Sequence, residues 1–62
     1  MPDVNVENHG TLFLFRLNTE TAQSWAVENV PGATYFAGAV VCEARYARDL
    51  AQGMIDDGLM VE

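Results

Sequence analysis

The sequence predicts a small α/β (α+β) protein, a β-α-β-α-β two-layer sandwich with two helices on a small three-stranded sheet. Three observations predict it. Thr11–Leu17 and Thr34–Glu43 are runs of aromatic, β-branched and aliphatic residues with strand character. Glu20–Asn29 and Arg45–Asp57 carry apolar residues at helical spacing. Strands that alternate with helices, with no repeat and no linker, build two layers around one core. Sixty-two residues make a single domain, 1–62, which withdraws only about 60% of its unfolded surface from water.

Each element has its own signals. Residues 1–9 read as a polar, loosely ordered lead-in that stops at Gly10. The first strand, Thr11–Leu17, is followed by Asn18-Thr19, which offer an N-cap group, and by Glu20 in the first helical turn, where the dipole favours an anion. Ala22, Trp25, Ala26, Asn29 and Val30 share the helical period, and Pro31-Gly32 ends it. Trp25 is expected to anchor this helix on the sheet beside Phe13 or Phe15. Thr34–Glu43 reads as the second strand, thinned at Gly38, and a parallel pairing with the first is plausible because the helix between them is long enough for a crossover. In the second helix Ala47, Leu50, Ala51 and Met54 line one face, and Gly58 stands where a C′ glycine belongs. Leu59–Val61 completes the fold as a short edge strand. Both longer strands are apolar on both faces. Helices on one face would leave an apolar patch open to a partner or a second copy, and helices on opposite faces would leave none.

Charge narrows the function. Nine carboxylates face Arg16, Arg45 and Arg48, there is no lysine, and the net charge is −6. Such a chain lacks the cations that release counterions from nucleic acid or bind an anionic membrane, so neither is expected as a direct partner. Basic protein surfaces, above all those of nucleic-acid-binding proteins, suit it better, although acidity also serves solubility. One cysteine, Cys42, excludes an internal disulfide and fits a reducing compartment. The first ten residues show neither the basic nor the apolar region of a secretory signal, and no run reaches the ~18 apolar residues of a membrane span. The expectation is a soluble cytoplasmic protein.

Chemistry-bearing residues are few. His9 lies beside Glu7, but a nucleophilic site also needs a Ser or Cys within reach, and Cys42 sits in a strand as a small core residue. Two Cys/His residues do not make a zinc site, Asp56-Asp57 lacks a calcium loop, and the five glycines form no phosphate cradle. No enzyme activity, cofactor or metal is expected. The acidic residues are the better candidates. Glu20, Ser24 and Glu28 share an outer helix face, and Arg45, Asp49, Gln52 and Asp56 form the outer stripe of the second helix, with Arg45–Asp49 a candidate i,i+4 pair. Asp56 and Asp57 oppose the helix dipole and, with Glu62, are expected to make one negative corner.

The words NHGTLFLFRL, YFAGAVVCEARYARDLAQGM and DDGL resemble a family of very short bacterial and mobile-element proteins, over about residues 8–61. That family is associated with anti-CRISPR proteins acting on type I-C surveillance complexes. Asn8, His9, Gly10, Glu43, Arg45 and Tyr46 fall in its shared words, and Cys42 replaces a valine of its pattern. The resemblance implies an inhibitor that binds a DNA-gripping protein subunit through carboxylates standing in for phosphates. Glu28, Glu43, Asp49, Asp56, Asp57 and Glu62 would be the partner-binding residues, on a monomer or homodimer. The competing reading is a self-associating regulatory or structural module whose open sheet face forms a dimer.

Overall fold

Leu12–Leu17 (β2), a run of large apolar side chains broken only by Arg16, pairs on both sides and lies inside the sheet. A computed structural model describes residues 1–62. The remaining elements are β1 (Val4–Asn8), α1 (Glu20–Asn29), β3 (Thr34–Phe36), β4 (Ala39–Glu43) and α2 (Ala44–Asp56). The sheet runs β1-β2-β4-β3 and every neighbouring pair is antiparallel. The class is therefore α+β with two helices on a four-stranded sheet. No helix is long and apolar enough to cross a membrane.

Four expectations are corrected. The lead-in is a strand: Val4 and Val6 point to one face, opposite Leu17 and Phe15, and Asn5 and Glu7 to the other. Its turn into β2 is closed by Asn8 Oδ1, which accepts from the Gly10 N–H at 2.8 Å. The single strand expected over Thr34–Glu43 is a hairpin. Ala37 (φ 51°) and Gly38 (φ 80°) form its two-residue loop, with Phe36 paired to Ala39. Two left-handed residues in succession give the turn whose twist matches the flanking strands, and glycine takes the second position without strain. The parallel crossover is absent, since β2 and β4 run antiparallel. Finally, Leu59–Val61 is no full strand. Val61 bridges Val4 in parallel, and Val4 N–H donates to Met60 C=O at 3.0 Å and Val6 N–H to Glu62 C=O at 2.8 Å. The expected edge position holds.

The helices lie where their patterns place them. Thr19 caps α1 by accepting from the Ala22 N–H at 3.2 Å. In α2 Ala47 and Met54 are buried, Leu50 and Ala51 half-buried, and Gly58 follows the helix at φ 94°. Both helices cover one face of the sheet. Val4, Phe15 and Val40 from that face meet Ala22 and Ala26 of α1, Ala47 and Met54 of α2, and Leu59 in one core. Leu12, Leu14, Arg16, Ala39 and Val41 share the other face by strand alternation, and no helix lies over it.

Polar side chains tie the chain's two ends to this core. Asp3 accepts from the Thr19 hydroxyl at 2.8 Å and from the Met60 N–H at 2.9 Å. Asn18 donates to Pro2 C=O and to Asn5 Oδ1. These bonds, the Met60 one first, hold the Asp3 carboxyl below its ordinary range. A carboxyl lowered by folding stabilises the fold above its unfolded pKa, and that contribution disappears as pH falls through the folded pKa. Asp3→Asn should therefore be less stable than the parent at pH 7, with the difference shrinking as pH falls below about 4. Urea midpoints at pH 7 and pH 3 check this, and an undiminished gap at pH 3 contradicts it. Ala37 gives a second expectation. A left-handed alanine is strained, so Ala37→Asn should raise stability by about 0.5–1 kcal/mol. Thermal unfolding measures it, and Ala37→Val should move the midpoint the other way.

Candidate functional site

Helical periodicity sends Glu20, Ser24 and Glu28 outward along α1, on the side that turns toward the C-terminal end of α2. There the chain leaves α2 through Asp57 and Gly58 and dives into the core at Leu59. The result is a shallow groove of about 460 Å³ whose walls include Glu20, Glu28, Asp57 and Trp25. Three carboxylates thus border one indole.

Trp25 packs against the core cluster and also reaches the end of α2. Its ring is half-buried and packs toward α2. A methyl group added at Gly53 would lie 3.7 and 3.8 Å from the ring's outer carbons. Its Nε1–H donates to Asp57 Oδ2 at 2.7 Å, a charge-assisted bond that fixes the carboxylate at the groove's rim. This offsets the repulsion that Asp57 suffers at the carbonyl end of α2. Asp56 has no such partner in the core layer and accepts instead from Gln52 Nε2 at 2.9 Å, one turn back.

The other acidic residues divide into two kinds. Glu7 receives both Arg16 Nε–H and Arg16 Nη2–H, the latter at 3.3 Å, and pairs with His9 Nε2 at 3.1 Å. Arg16 first and His9 second hold the Glu7 carboxyl low. Glu43 pairs with Arg45 Nε at 3.1 Å, so the expected Arg45–Asp49 pair gives way to one at the helix start. The Arg16–Glu7 and Arg45–Glu43 ion pairs and the His9 contact all border the sheet's uncovered face or its end. Glu20, Glu28, Asp49, Asp56 and Asp57 take part in none of them, and all five belong to the helical layer or its end.

Of the six residues predicted for partner binding, the structure brings Glu28 and Asp57 to one groove. Asp49 and Asp56 lie on the exposed stripe of α2. Glu43 lies elsewhere, at the start of α2 beside Gly10 and Thr11, with its charge matched by Arg45. Glu62 leaves the expected corner. The extended tail carries it to Val6, about 13 Å of chain beyond Gly58. Glu20 and Trp25 replace it in the groove. Glu20 was legible from its four-residue spacing to Ser24 and Glu28, whereas the Trp25–Asp57 bond spans 32 positions and left no local signal.

Groups with catalytic chemistry stay apart from this groove. His9 is exposed in the β1–β2 turn. Burial, then Glu43, pushes the Cys42 thiol up, away from the thiolate that a nucleophile requires. No three of the His, Cys, Asp and Glu side chains gather closely enough to hold a metal ion. The arrangement suits attraction of cationic groups, with Trp25 as an aromatic surface and carboxylates around it. No protein-family model matches the chain, and no curated protein and no solved structure matches it.

Gly53 lies inside α2 with negative φ and ordinary contact distance to Trp25, so alanine there fits without displacing the ring. Gly53→Ala should raise stability by about 0.5–1 kcal/mol through the lower backbone entropy of the unfolded chain. The check is a thermal melt followed by Trp25 fluorescence. A lower midpoint would mean that the ring needs the space closer than the geometry gives.

Proposed function

We propose that this protein is a binding inhibitor of the anti-CRISPR class, one that docks on the DNA-gripping protein subunit of a type I surveillance complex and excludes target DNA. The observation that carries the reading is the sorting of charge. Glu7 and Glu43 on the sheet side are paired with Arg16 and Arg45, whereas none of the five carboxylates of the helical layer has an ion-pair partner. A layer left anionic in this way attracts a basic, phosphate-binding surface and accelerates encounter with it. The resemblance of its sequence words to those of short mobile-element proteins supports the same class of target. Glu28, Asp57, Asp49 and Asp56 stand in for phosphates, joined by Glu20, and the groove at Trp25 receives an arginine or lysine of the partner. Glu43, matched by Arg45, and Glu62, displaced along β1, contribute little.

The test is competition for target DNA on a purified type I-C surveillance complex. The combined variant Glu20→Gln, Glu28→Gln, Asp57→Asn should block DNA at least about tenfold more weakly, mostly through slower association. Its potency should also depend less on salt than the parent's. Glu43→Gln should stay within about twofold of the parent. A triple variant with parental potency and an unchanged salt dependence contradicts the proposal.

A further inference from the structure

The two edges of the sheet differ. Leu59–Glu62 lies along β1 and takes up its outward hydrogen-bonding groups, so that edge is paired. The β3 edge is bare. Antiparallel partners alternate between bonded and non-bonded pairs, and a two-residue loop is closed by a bonded pair, here Phe36–Ala39. Tyr35, opposite Val40, is then a non-bonded position, and its N–H and C=O point outward from the sheet. None of the turn, loop or cap bonds of the fold reaches them. Natural edge strands are guarded by charge, proline or a bulge. Here β3 pairs in regular register, contains no proline, and lies in a stretch, Val30–Cys42, without a single charged residue. Its side chains are large and open to water: Tyr35 is 48% and Phe36 65% exposed.

We infer that this edge pairs with β3 of a second copy of the chain, antiparallel about a two-fold axis at Tyr35, joining two four-stranded sheets into one of eight. Two features favour a second copy over another strand. The edge is neutral in a chain of net charge −6, so two such chains meet where neither carries charge, whereas a basic partner is drawn to the helical layer. The pairing is also self-complementary. The Tyr35 N–H of each copy donates to the Tyr35 C=O of the other, and Thr34 of each copy falls opposite Phe36 of the other on the uncovered face. An axis perpendicular to the sheet puts both helical layers on one side, so the acidic surfaces stand next to each other. Three residues of edge make this a weak, concentration-dependent association.

Sedimentation equilibrium from about 10 μM to about 1 mM covers the range of weak pairing. The average mass should climb from that of one chain toward two. Added salt should strengthen the dimer several-fold, because it screens the repulsion of two anionic chains, the opposite of its effect on docking to a basic surface. Tyr35→Lys sets two ammonium groups face to face across the axis and should weaken the dimer at least about tenfold, although it lowers the net negative charge. Thr34→Lys puts an ammonium opposite Phe36 of the other copy with a second one diagonally across the axis; it should also weaken the dimer and carries the test if Tyr35→Lys does not fold. Met60→Lys, on the paired edge, should not weaken it. The combined Glu20, Glu28 and Asp57 variant should dimerise at least as well as the parent, which separates this inference from the inhibitor reading. A single-chain mass throughout the range, or a dimer that tolerates both Tyr35→Lys and Thr34→Lys, overturns it.

Discussion

Only ten residues of this chain are withdrawn from water, and eight of them belong to one cluster between the helices and a single sheet face. That shortage of core governs the rest. Two short helices cannot shield both faces of a four-stranded sheet, so they gather where Val4, Phe15 and Val40 line up, and the opposite face is left to Leu14, Val41 and the stem of Arg16. With so little apolar area to hold them, the chain ends depend on directed polar bonds. Asp3 joins the cap of α1 to the closing segment, and Asn18 holds the start of β1. A domain of this size is near the limit of independent stability, where bonds worth about 1 kcal/mol each matter.

The same geometry sorts the charge. Arg16 lies on the uncovered sheet face, in register with Asn5 and beside Glu7, and Arg45 sits one residue into α2, within reach of Glu43. Two of the three arginines are thereby paired beside the sheet, and the third, Arg48, lies on α2 without an ion-pair partner. The outward stripes of α1 and α2 are left with carboxylates that only neutral donors, Trp25 and Gln52, satisfy. Such bonds hold the groups in place and leave their charge uncompensated. An anionic surface with fixed carboxylates is what attraction to a cationic partner asks for.

Both helices were legible because their signals are local: Thr19 as cap, the Ala22/Ala26 and Ala47/Met54 spacing, Gly58 as stop. The sheet was less so. β1 offers only Val4 and Val6 to the core, and two apolar residues in a polar stretch do not outweigh Asp3, Asn5, Glu7 and Asn8; pairing with β2 decides it. The β3–β4 turn was hidden because its first left-handed residue is Ala37, where asparagine or glycine would have announced a hairpin. The acidic groove was half visible. Glu20 and Glu28 follow from helical period, but their meeting with Asp57 depends on how α1 lies against α2, which is set by Trp25 on Gly53 and has no counterpart in spacing.

Three places in the chain go against local preference, and their distribution is informative. Ala37 adopts a left-handed conformation that alanine resists, Gly53 interrupts a helix that alanine would strengthen, and Asp56-Asp57 load the wrong end of a dipole. Sequences keep such conflicts mainly where something other than stability selects them. Gly53 faces the outer carbons of the Trp25 ring and Asp57 accepts from its nitrogen, so two of the conflicts meet at the acidic groove. The third turns the hairpin that presents Tyr35 and Phe36 at the free edge. The stability this small domain gives up is thus concentrated at two exposed surfaces, one anionic and one neutral. On the readings proposed above, the two lie on different elements and would respond to salt in opposite directions, so neither would obstruct the other.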